Sequence, residues 1–160
     1  MKTALGLLIT TMLALAFAVQ GASELSWDEL IPQGMEDLAS TPATQTPTDS
    51  SMSAAPEAYG VVENLDGETI KIPGFIVPLE SDEGGLLNEF FLVPYFGACI
   101  HVPPPPPNQI VYVTLEDPFN LETMWEPYWI EGTLRTKSHV HAMGASAYSL
   151  EGTKVYPYEY

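Results

Sequence analysis

Two scarcities set the first limits on what this chain can be. It has a single cysteine, Cys99, among 160 residues. No disulfide can form within the chain, so a disulfide framework is excluded. That leaves Cys99 buried and inert, bound to a metal, paired between chains, or reactive. Basic residues are also scarce: Lys+Arg 5 stand against Asp+Glu 21, a formal net charge of −16. Such a surface repels phosphate backbones and anionic lipid headgroups, which excludes nucleic acid and membrane surfaces as partners. It concentrates cations nearby without by itself making a metal site. No repeat of the length used by solenoids or propellers is present.

What is there begins with "MKTALGLLITTMLALAFAVQGAS". Lys2 precedes an uncharged apolar run, Ala4 to Val19, which ends in Gly21, Ala22 and Ser23. This is the layout of a secretory signal peptide, assigned to residues 1–22. The run is near the lower limit for a membrane span, and no basic cluster follows it as a stop-transfer flank. No cysteine lies near the cleavage point for lipid attachment. The expectation is a periplasmic protein with no membrane insertion after cleavage.

Residues 23–35 contain "LSWDELIP", read as one helical turn capped by Ser26, a segment that docks back on the main domain. Residues 36–58 are rich in Thr, Ser, Ala and Pro and contain no aromatic residue, the composition of a flexible linker. Residues 59–160 form one domain whose apolar residues recur with a strand period. "VVENLDGETIKIPGFIVPLE" predicts two strands around Asp66-Gly67, with Ile70 and Ile72 on one face. Pro73 and Gly74 predict an edge position or a bulge. Asn88 to Phe96 is a third strand. "QIVYVTLE" is a fourth, apolar on both faces and therefore central. "DPFNLETMWEP" predicts the one short helix, with Asn120 as its cap. "YWIEGTLRT" places Tyr128, Ile130 and Leu134 inward, and "SAYSLEGTKVYPYEY" closes the sheet. The fold class is all-β: a small OB-like barrel of five to six strands with one short helix.

The chemistry concentrates in "GACIHVPPPPPNQ". Cys99 and His101, at i and i+2 of an extended segment, point to one face. Sulfur with imidazole suits zinc, with copper as the alternative. The same pair suits a thiol enzyme or redox protein in which His101 activates Cys99. His139 and His141 repeat the spacing in "SHVHAMGA", a loop before the final strand, and complete a candidate Cys-His₃ set if the fold brings the two segments together. Pro103, Pro104, Pro105, Pro106 and Pro107 favour a stiff polyproline II rod on the surface at the barrel rim, tied back by Asn108 and Gln109. A proline rod is also the signature of a structural adaptor with a docking loop.

"FLVPYFGACIHVPPPPPNQIVYV", together with "WDELIP", "IPGFIVPLE" and "YWIEGTL", resembles the signature of a family of bacterial periplasmic proteins and lipoproteins classed as a domain of unknown function. Some members are encoded beside ABC-type systems connected with zinc uptake. The resemblance implies a periplasmic accessory role in metal handling, with a transporter or another periplasmic protein as partner and Cys99 and His101 carrying the signature. The lipid-attachment motif of some relatives is absent here. His139 and His141 are not part of the family pattern.

Overall fold

The computed structural model describes residues 21–35, 59–81, 85–98 and 105–159. Residues 1–20 of the expected leader, the linker 36–58, and Cys99, His101, Pro103 and Pro104 lie outside the described residues. The strands are β1 (Ser23–Glu24), β2 (Thr69–Ser81), β3 (Leu86–Val93), β4 (Val111–Asn120), β5 (Tyr128–Arg135), β6 (His139–His141), β7 (Gly144–Ser146) and β8 (Tyr148–Pro157). Five of them run in the order β2-β3-β4-β8-β5, and β5 pairs back onto β2 to close a barrel. Only β4 and β8 are parallel within this ring. This is the expected OB-like barrel.

Closure depends on the length of β2. Its residues Thr69–Gly74 pair with β5, and from Phe75 onward it pairs with β3. The exchange falls at Pro73-Gly74. Proline offers no ladder donor there, and glycine lets other chains close in. A Cβ on Gly74 would lie 2.8 Å from both Leu92 Cγ and the Val93 carbonyl. The residues that suggested an interrupted strand instead turn a barrel corner.

Inside, alternation fixes the core. β5 buries every second residue, Tyr128, Ile130, Gly132 and Leu134, and β2 buries Ile70, Ile72 and Ile76. Each such aliphatic side chain contributes roughly 1.5–3 kcal/mol by leaving water.

The N-terminal arm packs along the half of β2 that β3 does not reach. Ser23 and Glu24 pair in parallel with Ile70 and Lys71, and the Leu25 N–H donates to the Lys71 carbonyl at 2.9 Å. Covering an unpaired strand flank removes a site for edge-to-edge association. A 3₁₀ turn follows at Trp27–Leu30, opened by Ser26, whose N–H and hydroxyl both donate to Glu29 Oε2 at 2.8 Å. Leu30 is fully buried, and the Trp27 indole N–H donates to the Pro73 carbonyl at 2.6 Å.

Three local expectations are corrected. Only one strand forms around Asp66-Gly67. The residues before it make a 3₁₀ turn, Glu63–Leu65, because Gly67 (φ 82°) donates to the Leu134 carbonyl at 2.8 Å and Asp66 Oδ1 accepts the Thr136 N–H at 3.0 Å. The turn is tied to the end of β5, not to a strand of its own. The third strand ends at Val93, three residues early, where Pro94 removes a donor. The short helix expected near residues 117–127 is absent. β4 continues to Asn120, and Phe119 and Leu121 pack on the core from alternate positions. Among the described residues, helical structure is limited to short 3₁₀ turns.

Candidate functional site

On the outer face of β3 and β4 the strand period sets out a row of side chains. Phe90 and Leu92 point into the barrel, so Glu89, Phe91 and Val93 point away from it; Val111 and Val113 likewise send Tyr112 outward. Phe91 and Tyr112 are directly paired across the strands, their rings edge to face at 6.2 Å. The Tyr112 hydroxyl donates to Glu89 Oε2 at 2.8 Å. Burial first, and then the Glu89 carboxylate, push the Tyr112 hydroxyl up to about 12.

The β6–β7 hairpin lies on this row. Its pairing, His139 with Ser146 and His141 with Gly144, puts both imidazoles on one side of a strand and Val140, exposed, on the other. Both rings meet Phe91 edge to face, His139 at 6.4 Å and His141 at 6.2 Å. His139 also stacks on Tyr112, centroids 3.6 Å apart and planes within 2°. Burial, and then the charge of His141, hold the His139 imidazole below its ordinary value. The two histidines differ in what their lone pairs do. His141 Nδ1 accepts the Met143 N–H at 3.2 Å, which leaves its proton on Nε2 in the neutral ring.

The proline segment is the main departure from expectation. Pro105, Pro106 and Pro107 are buried, as are Asn108 and Gln109, so this part is no surface rod. Proline brings no N–H that burial would strand, and the carbonyls find donors. The Pro106 carbonyl accepts the Gln109 N–H at 2.8 Å, and the Pro107 carbonyl accepts the Ala147 N–H at 2.7 Å. Asn108 Nδ2 donates to the Tyr59 carbonyl at 3.0 Å, and Gln109 Nε2 to the Trp27 carbonyl at 2.9 Å. Tying the loop back is the role the sequence suggested for these two residues.

On the other side of the motif, Gly97 (φ 79°) returns the chain to the barrel, where Ala98 is buried in one apolar cluster with Phe91, Val93 and Ile110. Cys99 and His101 follow and lie outside the described residues. Among the described residues, no group of three or more His, Cys, Asp or Glu side chains is gathered to hold a metal ion. His139 and His141 are brought together, with no third such side chain beside them among the described residues.

Sequence reasoning missed the pairing of Tyr112 with Glu89, since Tyr112 sits opposite the core positions of β4 and Glu89 is one of 21 acidic residues. The period-2 pattern marks both as outward residues on neighbouring strands. It cannot show that a hairpin more than twenty residues later covers them.

Fold and site define the class: a small OB-like barrel with an added arm and a histidine-bearing hairpin. A family model described as "Protein of unknown function (DUF3299)" matches residues 27–157. The chain belongs to the DUF3299 family. It is similar, at 41% identity, to the crystal structure of a DUF3299 family protein (PA4066) from Pseudomonas aeruginosa PAO1. That match has a TM-score of 0.74 and covers 88% of this chain and 99% of the other. Nothing among curated proteins matches the chain. No helix among the described residues is long and apolar enough to cross a membrane.

Proposed function

We propose that this protein is a periplasmic accessory protein that binds a transition metal, zinc in preference to copper, and serves an extracytoplasmic transport system. One observation carries the reading. The chain ends that flank the Cys99–His101 segment are both anchored beside the hairpin that holds His139 and His141. Ala98 belongs to the same cluster as Phe91, whose ring touches both imidazoles, and Pro107 is bonded to Ala147, the residue after β7. Cys99 is the next residue of the chain after Ala98. A thiolate and imidazoles are the donor set that zinc accepts.

Within that set His139 is the readier ligand. Neither of its ring nitrogens is hydrogen-bonded among the described residues, while His141 must give up its bond to Met143 to ligate through Nδ1. Periplasmic location and a transport partner rest on the leader-like N-terminus and the family resemblance. Burial of Pro105–Pro107 argues against the alternative in which the proline run itself docks into a partner's groove. The test is competition for zinc between untagged protein and a chromophoric chelator. One equivalent bound, with affinity falling more for His139→Ala than for His141→Ala, supports the reading. No competition by wild type or Cys99→Ser ends it.

A further inference from the structure

After β3 ends at Val93 the chain throws Phe96 outward before Gly97 turns it back. A second segment far along the sequence, residues 121–127, meets it there with Met124 and Trp125. Phe96, Met124 and Trp125 are 43%, 41% and 69% exposed. The Phe96 and Trp125 rings lie 4.8 Å apart, and Phe75 meets Phe96 edge to face at 6.0 Å. Between them is an apolar hollow of about 40 Å³, walled by Phe75, Val77, Val93, Ala98 and Met124. That volume is far below the roughly 300–1,000 Å³ of a small-molecule site. It is room for the tip of one side chain.

Large aromatic residues converging on solvent are the usual anchors of a protein interface. Charge then selects the partner. The segments that build the patch, 75–98 and 121–127, carry Glu80, Asp82, Glu83, Glu89, Glu122 and Glu126 and contain no lysine or arginine. Lys71, Arg135 and Lys154 are each paired with a carboxylate on other parts of the barrel, at 3.2, 3.1 and 2.7 Å, and Lys137 lies just before β6. With a net charge of −16, a second copy approaching this face meets like charge.

We infer that the Phe96–Trp125 patch is the docking site for a partner protein that inserts a non-polar side chain framed by lysine or arginine. This specifies the partner-binding half of the function proposed above and needs no metal, since no patch residue is a candidate ligand.

The test uses the isotope-labelled full chain and two synthetic hexapeptides, Lys-Lys-Phe-Leu-Lys-Lys and its counterpart with glutamates for lysines, both blocked at the ends. The cationic peptide should shift the amide signals of residues 96–98 and 124–126, with the acidic one inert. Trp125→Ala or Phe96→Ala should weaken binding at least tenfold while circular dichroism and zinc affinity stay at wild-type values. Equal binding of both peptides, shifts elsewhere only, or no effect of the substitutions would overturn the inference. So would a dimer in sedimentation that Trp125→Ala dissolves, since the occupant would then be a second copy. Loss of zinc binding in wild type with peptide binding intact would count against the metal reading alone.

Discussion

The ring of His139 lies flat on that of Tyr112, at 3.6 Å and 2°, and Tyr112 is in turn held by Glu89 through a 2.8 Å hydrogen bond. The stack fixes the plane of one candidate ligand, whose nitrogens make no hydrogen bond among the described residues. An aromatic pair of this kind is worth about 0.5–1.5 kcal/mol. Tyr112→Ala is therefore expected to weaken zinc binding by roughly two- to thirteenfold, whereas Tyr112→Phe, which keeps the ring, leaves it near wild type. Equal loss in both variants would show that the hydroxyl matters and the stack does not. Independently, Glu89→Gln should lower the Tyr112 hydroxyl from about 12, because the neighbouring carboxylate is one of the groups raising it. Ultraviolet titration of tyrosinate checks this.

The glycines at close approaches offer the sharpest stability test. A Cβ on Gly132 would run into the Glu151 carbonyl and come within 2.8 Å of Gly152 Cα, both backbone atoms of the neighbouring strand. At Gly74 the obstacles are one carbonyl and two side chains. Gly132→Ala should cost more than Gly74→Ala, each at or above the 1–3 kcal/mol typical of overpacking. Urea unfolding midpoints rank the two.

The arm should behave as part of the barrel and not as a tail. Trp27→Ala removes a half-buried indole and its bond to Pro73, an expected loss of about 2–3 kcal/mol. The fully buried Tyr148 donates to the Leu30 carbonyl at 2.9 Å and accepts the Val62 N–H at 2.6 Å. Tyr148→Phe strands both and should cost about 1–3 kcal/mol. A melting temperature unchanged by either substitution would contradict the docked arm.

Acid stability follows from Glu131. The Lys154 ammonium at 2.7 Å is the largest influence, and with the Tyr156 hydroxyl at 3.0 Å it holds this carboxyl below its ordinary value. A carboxyl depressed in the folded state contributes stability that is present above its unfolded value and is lost as pH falls through the folded one. The dependence of stability on pH below about 4.5 should thus be shallower in Glu131→Gln than in wild type. Identical slopes would remove the group from the account.

Strand positions were legible wherever one face is buried and the other wet. "YWIEGTLRT" alternates without a break, and β5 follows it residue for residue. The helix expected after Asn120 failed for an instructive reason. Asn120 and the acidic residue after Leu121 look like a helix start, but Phe119 and Leu121 bury at spacing two, and tertiary burial overrode the local signal. The buried prolines misled for the opposite reason. A residue with no donor is awkward in a ladder yet cheap to bury outside one. At the candidate site, His139 and His141 were expected in a loop; they form β6 instead, and the strand period gives them a shared face. Their seat on Phe91 and Tyr112 depends on how a hairpin folds over a barrel wall, a long-range relationship that no local pattern encodes.

Cobalt substitution reads ligation by Cys99 itself, because a thiolate bound to Co²⁺ produces a charge-transfer absorption that imidazole and carboxylate ligands alone do not. This band, together with intense tetrahedral d–d bands, is expected in the wild-type protein at one equivalent. The charge-transfer band should vanish in Cys99→Ser, and the d–d bands should weaken in His139→Ala. Wild-type spectra matching those of aqueous cobalt, or a band untouched by Cys99→Ser, would contradict it.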